Sequence, residues 1–328
     1  MTNGSILITG GCGFIGTSLI KSLLDQNPNA AITVFDDLSV GSPEDLAQVT
    51  KFERADAADA TQTKGVTLIE GDIKDYKAVE DATRGVSAIV HLAANTGVGP
   101  SVDNPRADLE ANVIGTFNLL EAARKNGVKK FVFASSGAPI GEVEPPIHEE
   151  LAPRPVSPYG ASKLAGEGYC SAYYRTFGIE TVALRFGNVY GPRSSKKSSV
   201  VAKFIRQALA GETCEIYGDG TQTRDFIYIE DLVRAIRLGL DSNVGGEVFQ
   251  IATGSERTVT ELAQLIREAL TQRGISMSLE YTEPRLGDIK RNYSDTTKAK
   301  QVLGWETEMD LNEGINTTID YFLAQKSV

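Results

Sequence analysis

The chain is poor in the residues that staple small proteins or grip metals. Three cysteines, Cys12, Cys170 and Cys214, are scattered along 328 residues. An odd, dispersed set makes no disulfide framework and points to a reducing compartment. There are two histidines, His91 and His148. Without Cys-x-x-Cys or His-x-x-x-His spacing beside them, no protein-bound catalytic metal is expected. No run of about 18 apolar residues exists, so no membrane span is expected. Met1 to Ile8 lacks a basic stretch followed by an apolar one, so no secretory leader is expected and a cytoplasmic location follows. Excess positive charge is missing too. The net charge of -10 opposes binding to a nucleic-acid backbone, although local basic residues remain able to hold a small phosphorylated ligand.

What is present is the pattern of a globular α/β enzyme. Short apolar runs at Ser5–Thr9, Ile32–Phe35, Thr67–Glu70, Ala88–Leu92, Lys130–Ser135 and Thr181–Phe186 alternate with amphipathic segments such as Asn112–Lys125 and Tyr159–Thr176. Continuously apolar, β-branched strands alternating with helices predict a Rossmann-type doubly wound parallel sheet covered on both faces. Pro43 to Lys64 has weak periodicity and reads as a surface insertion with one short helix. Arg193–Ser199 is polar, basic and small, and reads as a mobile loop. Further helices are expected at Val200–Ala210, Ile229–Leu240, Thr258–Thr271 and Leu311–Leu323. The division expected is a dinucleotide-binding domain over residues 1–187 and a smaller α/β substrate domain over 188–328, with parts of 226–256 packing back on the first.

Thr9–Gly16 reads T-G-G-C-G-F-I-G, with Gly10, Gly13 and Gly16 after a strand and at the start of a helix. Glycine allows the tight turn and lets the backbone approach a pyrophosphate, to which the helix start offers amide donors. Asp36 follows Gly16 by 20 residues, at the end of the second strand. A carboxylate there accepts from ribose hydroxyls and repels a 2′-phosphate, favouring NAD over NADP.

Ser157–Lys163 reads S-P-Y-G-A-S-K and sets Tyr159 and Lys163 one helical turn apart. Phenols ionise near pH 10, so a base at neutral pH needs help from the ammonium and from a positive nicotinamide ring. Ser135 and Ser136 close the preceding strand, where such sheets place their ligands. His91, at a strand end, reads as structural.

Taken together these motifs resemble the extended short-chain dehydrogenase/reductases, within them the UDP-glucose 4-epimerase group. The resemblance rests on the glycine motif, Asp36, Gly71-Asp72-Ile73, His91-Leu92-Ala93-Ala94, Asn112, Ser136, the Tyr159/Lys163 pair and Leu184-Arg185-Phe186-Gly187-Asn188, in family order and spacing, with Glu215–Tyr228 and Arg285–Asp288 in the C-terminal half. It implies Tyr159, Lys163 and Ser136 as catalytic residues. It implies cofactor contacts from Gly10, Gly13, Phe14, Ile15, Gly16, Asp36, Asp37, Asp72, Ile73, Leu92, Ala93, Ala94, Asn112, Tyr159, Lys163 and Phe186. Substrate contacts are implied for Ser136, Asn188, Val200, Tyr217, Arg224, Arg285, Asp288 and Asn292, with Arg224 and Arg285 on the diphosphate, where a planar guanidinium suits phosphate oxygens. It further implies a homodimer through a four-helix bundle formed by Asp108–Lys125 and Tyr159–Thr176.

The reaction implied is inversion at C4 of a UDP-sugar through transient oxidation by bound NAD to a 4-keto sugar. A 4,6-dehydratase is the nearest rival, but such enzymes carry a carboxylate just after the strand-end Ser/Thr, and here Ser136 is followed by Gly137-Ala138-Pro139. The same absence disfavours a decarboxylase. Asp36 disfavours an NADP-dependent reductase, and the intact Tyr159, Lys163 and Ser136 disfavour a non-catalytic sensor. Asn292 matches the position bounding the pocket near C2, where tyrosine excludes N-acetyl sugars and small residues admit them. UDP-glucose, UDP-N-acetylglucosamine and UDP-glucuronate therefore all stay open as substrates.

Overall fold

A computed structural model of the chain describes residues 4–59, 64–284 and 289–326. Eight strands form one sheet: β1 (Ile6–Thr9), β2 (Ala31–Asp36), β3 (Phe52–Arg54), β4 (Gly65–Glu70), β5 (Ala88–His91), β6 (Lys130–Ser136), β7 (Glu180–Phe186) and β8 (Glu247–Ile251). They lie in the order β8-β7-β6-β5-β1-β2-β4-β3. β1 pairs in parallel with both β2 and β5, Leu7 standing opposite Thr33 on one side and Ile89 on the other. The order therefore reverses beside β1, and the carboxyl ends of β1 and β5 open the crevice in which doubly wound sheets bind ligands.

The six apolar runs of the sequence are six of these strands, shifted by a residue or two at their ends. Two others escape that reading. Phe52–Arg54 lies inside the segment expected to be an insertion, yet it pairs with β4 and extends the sheet. Its three residues are half-buried or exposed, so it carries no apolar signature. β8 pairs next to β7 from far along the chain.

The chain forms two compact units. The first comprises residues 1–141, 149–185 and 233–249. Its core places Leu7, Ile89, Phe131 and Phe133 on one face of the sheet, in one cluster with Leu119 and Ala123 of the helix Gly115–Asn126 and with Cys170 and Tyr173 of the helix Pro158–Phe177. The alternate residues Ile8, Val90 and Val132 are buried as well, so both faces are apolar, which explains the unbroken hydrophobic runs.

The second unit comprises residues 142–148, 186–232 and 250–328. It contains parallel pairs of short strands, Asn188–Tyr190 with Phe226–Tyr228 and Cys214–Tyr217 with Leu279–Thr282. The helices Val200–Ala210, Val259–Thr271 and Leu311–Lys326 pack together there. Trp305 is buried and its indole N–H donates to the Asp231 carbonyl oxygen at 2.9 Å. The Asp231 carboxylate accepts from the Glu308 and Met309 amides. Thr258 and Glu261 form a reciprocal cap that fixes the start of Val259–Thr271. Among the described residues no helix is long and apolar enough to cross a membrane.

Candidate active site

The glycine loop turns sharply after β1. Gly10 has φ +68°, a left-handed conformation that favours glycine, and a Cβ there would fall 2.8 Å from the Ala93 amide nitrogen. A Cβ on Gly16 would lie 2.5 Å from the Gly10 carbonyl oxygen. The loop therefore needs both glycines to bring the helix Phe14–Gln26 against the end of β1. That helix starts at Gly13 with no side-chain cap and no acidic residue in its first turn. Its first amides are free of competing side chains and its dipole faces no carboxylate of its own, which suits a pyrophosphate. The cradle fits the dinucleotide that the motif implies.

Asp36 is buried, and its carboxylate bonds back to the loop. Oδ2 accepts from the Cys12 amide and Oδ1 from the Leu38 amide, both at 2.9 Å. Burial raises its pKa above the usual carboxylate value, and the two amides oppose the rise. Beyond any ribose contact, Asp36 thus clamps the glycine loop to β2. Asp37 is exposed and accepts from the Ser39 amide and hydroxyl. Asp72 is half-buried and pairs with Lys74. Ile73 is buried, and its carbonyl accepts from Asn118 Nδ2 at 3.0 Å. Leu92, Ala93 and Ala94 are half-buried after β5; the Leu92 amide donates to the Thr9 carbonyl and the Ala93 amide to Thr9 Oγ1. Phe14 and Ile15 are half-buried in the first turn of the loop helix, and Phe186 is half-buried at the end of β7.

His91 is structural in this geometry. It is buried, with Nδ1 at 2.8 Å from Thr9 Oγ1 and Nε2 at 3.0 Å from Thr116 Oγ1. Burial first, and then the charge of Lys163, pull its pKa down to about 3. The ring is neutral at physiological pH. Burial pushes the Cys12 thiol up to about 12, so this loop cysteine is a protonated filler.

Tyr159 and Lys163, the pair expected to be catalytic, ride on the helix Pro158–Phe177. Ser157 caps it by accepting from the Gly160 amide, and Pro158 occupies the first turn, where its missing N–H costs nothing. Gly160 lets the helix approach the chain after Ser136: a Cβ would lie 2.6 Å from the Ala138 carbonyl oxygen. Lys163 is buried, and its Nζ donates to the Ala134 carbonyl at 2.9 Å. That nitrogen lies 5.9 Å from the centroid of the Tyr159 ring. Burial lowers the Lys163 pKa to about 8, while Asp108 and Glu167 work to hold it up. Burial also pushes the Tyr159 phenol up to about 12, and a hydrogen bond from Ser136 pulls against it.

The structure separates the two serines. Ser135 is buried and donates to Glu167 Oε1 at 2.6 Å, whereas the half-buried Ser136 accepts from the Ala138 amide at 3.2 Å and is the serine that lowers the Tyr159 phenol pKa.

Asn112 holds together residues that sequence reasoning missed. It lies in a π-helical turn, Leu109–Ile114, and is buried. Its Nδ2 donates to the Asn95 carbonyl, Asp108 Oδ1 and Ser162 Oγ, and its Oδ1 accepts from the Asn95 amide at 2.8 Å. Ser162 in turn donates to the Tyr159 carbonyl at 3.0 Å. One amide thus braces the chain after β5, the buried Asp108 and the helix Pro158–Phe177. A π-bulge leaves no mark in hydrophobic periodicity, although such bulges gather at functional sites.

The substrate residues implied by sequence belong to the second unit, apart from Ser136. Arg224 is half-buried, and Nη1 donates to the Thr223 and Ile289 carbonyls at 2.7 Å each. Tyr217 is half-buried; its hydroxyl lies 3.3 Å from Glu215 Oε2 and 3.4 Å from Lys203 Nζ. Asn188 is exposed, with Nδ2 at 3.4 Å from the Asp225 carbonyl. Asp225 is buried and gathers the Thr253 hydroxyl and the Thr253, Gly254 and Ser294 amides. Val200 opens the helix Val200–Ala210 and is half-buried. The Asn292 amide donates to Thr223 Oγ1 at 3.2 Å. Arg285 and Asp288 lie outside the described residues. In Arg193–Ser199, Arg206 Nη1 donates to the Ser195 and Lys197 carbonyls.

Residues 6–252 match the model of the NAD dependent epimerase/dehydratase family. The chain is 38% identical over 326 residues to a UDP-glucose 4-epimerase of Mycolicibacterium smegmatis, covering 96% of this chain and 97% of that protein. Among solved structures it is similar to a Thermotoga maritima UDP-glucose 4-epimerase bound to UDP-glucose, at 36% identity and a TM-score of 0.88, over 98% of this chain and 99% of that one. It is also similar to a Methanobrevibacter ruminantium UDP-N-acetylglucosamine 4-epimerase in complex with UDP-N-acetylmuramic acid, at 31% identity and a TM-score of 0.87, over 99% and 100%.

Proposed function

The chain belongs to the NAD-dependent epimerase/dehydratase family, and from that premise we propose that it inverts C4 of a UDP-hexose, with UDP-glucose and UDP-galactose as the foremost pair. One observation carries the choice within the family. Tyr159, Lys163 and Ser136 form the oxidising corner, and Gly137-Ala138-Pro139 after Ser136 offers no carboxylate to expel water from the sugar.

NAD, when bound, would supply a reversible hydride acceptor and a positive ring charge that favours the phenolate. Gly10, Gly13, Gly16 and the uncapped helix start would hold its pyrophosphate, and Asp36 its adenosine ribose. Tyr159 takes the proton from O4 of the sugar as the C4 hydride departs. Ser136 donates toward the phenolate, and Lys163 keeps a positive charge beside it. Once the 4-keto sugar has turned within the site, Tyr159 would return the proton to O4. Because the cofactor is regenerated, the protein has reason to retain it between turnovers. Arg224, with Arg285, binds the diphosphate; Tyr217 lies by the nucleoside; Asn188, Val200, Asp288 and Asn292 complete the sugar-nucleotide contacts.

The protein also acts as a homodimer in this reading. Leu109, Ile114, Phe117, Tyr169 and Phe177 expose 37–50% of their surface on two helical segments of the first unit. Phe117 and Tyr169 stack edge to face at 5.5 Å. An apolar patch of this kind favours a second copy, and Phe117→Glu with Tyr169→Glu should yield monomers by sedimentation equilibrium.

The deciding experiment incubates purified protein, without added NAD, with UDP-glucose, UDP-N-acetylglucosamine and UDP-glucuronate separately, and follows C4 inversion by proton NMR. Fastest conversion of UDP-glucose supports the proposal. Faster conversion of either other sugar moves the substrate assignment to it. No conversion of any, even with NAD supplied, overturns the UDP-sugar epimerase reading.

A further inference from the structure

Behind the catalytic helix lies an ion pair for which the reaction as described has no use. Arg185, on β7, grips Glu167 with two prongs, Nε to Oε1 at 2.8 Å and Nη2 to Oε2 at 2.7 Å. Ser135 adds a third donor to Oε1. Each ionic side chain is only 5% exposed, and Arg185 Nη1 is buried without a hydrogen-bond partner. Stability does not account for such a pair, because desolvating both charges offsets most of their attraction.

Its position does account for it. Glu167 stands one helical turn after Lys163, the spacing at which lysine and glutamate pair along a helix. With both carboxylate oxygens occupied, the Lys163 ammonium instead donates to the Ala134 carbonyl and stays beside the Tyr159 ring. The other groups facing Lys163 are Asp108 at the end of the short helix Pro105–Asp108, the protonated Cys170 thiol on its own helix and the neutral His91 of β5. The charge of Asp108 acts on Lys163 more strongly than that of Glu167, but Asn112 holds it in place; Glu167 is the carboxylate that loss of Arg185 would free to draw Lys163 away. We infer that Arg185 is a positioning residue that occupies Glu167 so that the Lys163 ammonium remains with Tyr159. The inference rests on the Tyr159–Lys163 reading for its kinetic consequence, but not for its structural one.

The test compares the NAD-bound wild type with Arg185→Met and with Arg185→Met/Glu167→Met. In the single variant kcat should fall about 10- to 100-fold with KM little changed, and the rising limb of its pH profile should move to higher pH, as for a base that has lost its ammonium. The double variant, with no carboxylate left to capture Lys163, should recover to within a few-fold of wild type. A crystal structure of Arg185→Met should show Lys163 Nζ within about 4 Å of Glu167. Equal impairment of the single and double variants, or Lys163 still on the Ala134 carbonyl in that crystal structure, overturns the inference. Tyr159→Phe, run alongside, separates the two ideas: full turnover there would overturn the catalytic reading, and the crystal structure would still decide the role of Arg185. Should Arg185→Met fail to fold, Arg185→Lys keeps the charge without the two-pronged grip. It should then show a smaller shift of the same sign, relieved by adding Glu167→Gln; no shift, or no relief, counts against the inference.

Discussion

Around Tyr159 the functional side chains are buried and tied to one another and to nearby main chain, whereas around Arg224 they are half-buried and lean on carbonyls and surface charges. Asn112, Ser162, Lys163 and Glu167 are all buried and bonded within the first unit. Arg224, Tyr217 and Asn292 of the second unit are half-buried. In the proposed reading the contrast follows from the tasks assigned to them. Proton transfer needs atoms held to fractions of an ångström in a dry setting. Gripping a diphosphate needs charge within reach, and a partly exposed guanidinium provides that while leaving room for substrates to differ.

The largest effect should come from removing the base. Tyr159→Phe keeps the ring and its packing but has no proton to move, so kcat should drop about 10³-fold with KM within a few-fold of wild type. A comparable loss in KM instead would mean that the buried corner binds rather than reacts, and the contrast would collapse.

Sequence patterns conveyed the first corner better than the second, and the reasons are physical. Ser157, Pro158, Tyr159 and Lys163 act through helix-start rules and one-turn spacing, which neighbours in sequence can express. Gly10 and Gly16 were legible because only glycine fits their turn and close approach. Asp108, Ser162, Glu167 and Arg185 were silent, since their roles arise only when β7 and the helices come together. The strand Phe52–Arg54 was silent because a short sheet-edge strand needs no apolar alternation. In the second unit Arg224 stood out only by resemblance, because a lone arginine looks the same in sequence whether it meets a phosphate or a carbonyl.

Arg224→Leu should sharpen the contrast from the other side. Loss of a charged hydrogen bond to the diphosphate should raise KM about 10- to 100-fold and leave kcat nearly unchanged. Arg224→Lys keeps the charge but loses the fork, and should fall between the two. Isothermal titration with UDP checks the same loss without catalysis; unchanged UDP affinity would remove Arg224 from the substrate site.

The buried corner should also record its burial in stability against pH. His91 has a folded pKa of about 3, against about 6.5 for an unfolded histidine. Between those values the unfolded chain binds the extra proton, so stability contributed by the neutral ring is present above pH 6.5 and is lost as pH falls toward 3, by up to about 1.4 kcal/mol per pH unit. Urea titrations from pH 7 to 4 should show that His91→Asn has the shallower decline. Identical slopes would mean that the Thr9–His91–Thr116 chain is hydrated, and the first corner less dry than its geometry implies.

The smallest effect is expected where the second unit meets the sugar, at Asn292. Its amide is fixed to Thr223 Oγ1, so the backbone there is anchored while the side chain is free to vary. Substitution should therefore change the space offered to the sugar rather than the fold. Asn292→Tyr should lower kcat/KM for UDP-N-acetylglucosamine several-fold relative to UDP-glucose, because a bulky ring competes with the N-acetyl group at C2, and Asn292→Gly should move the ratio the opposite way. Opposite shifts would keep specificity in the second unit and chemistry in the first. If both variants slowed the two sugars equally, with kcat falling and KM constant, Asn292 would be acting on the chemical step, and the boundary between a gripping unit and a reacting unit would have to be redrawn around it.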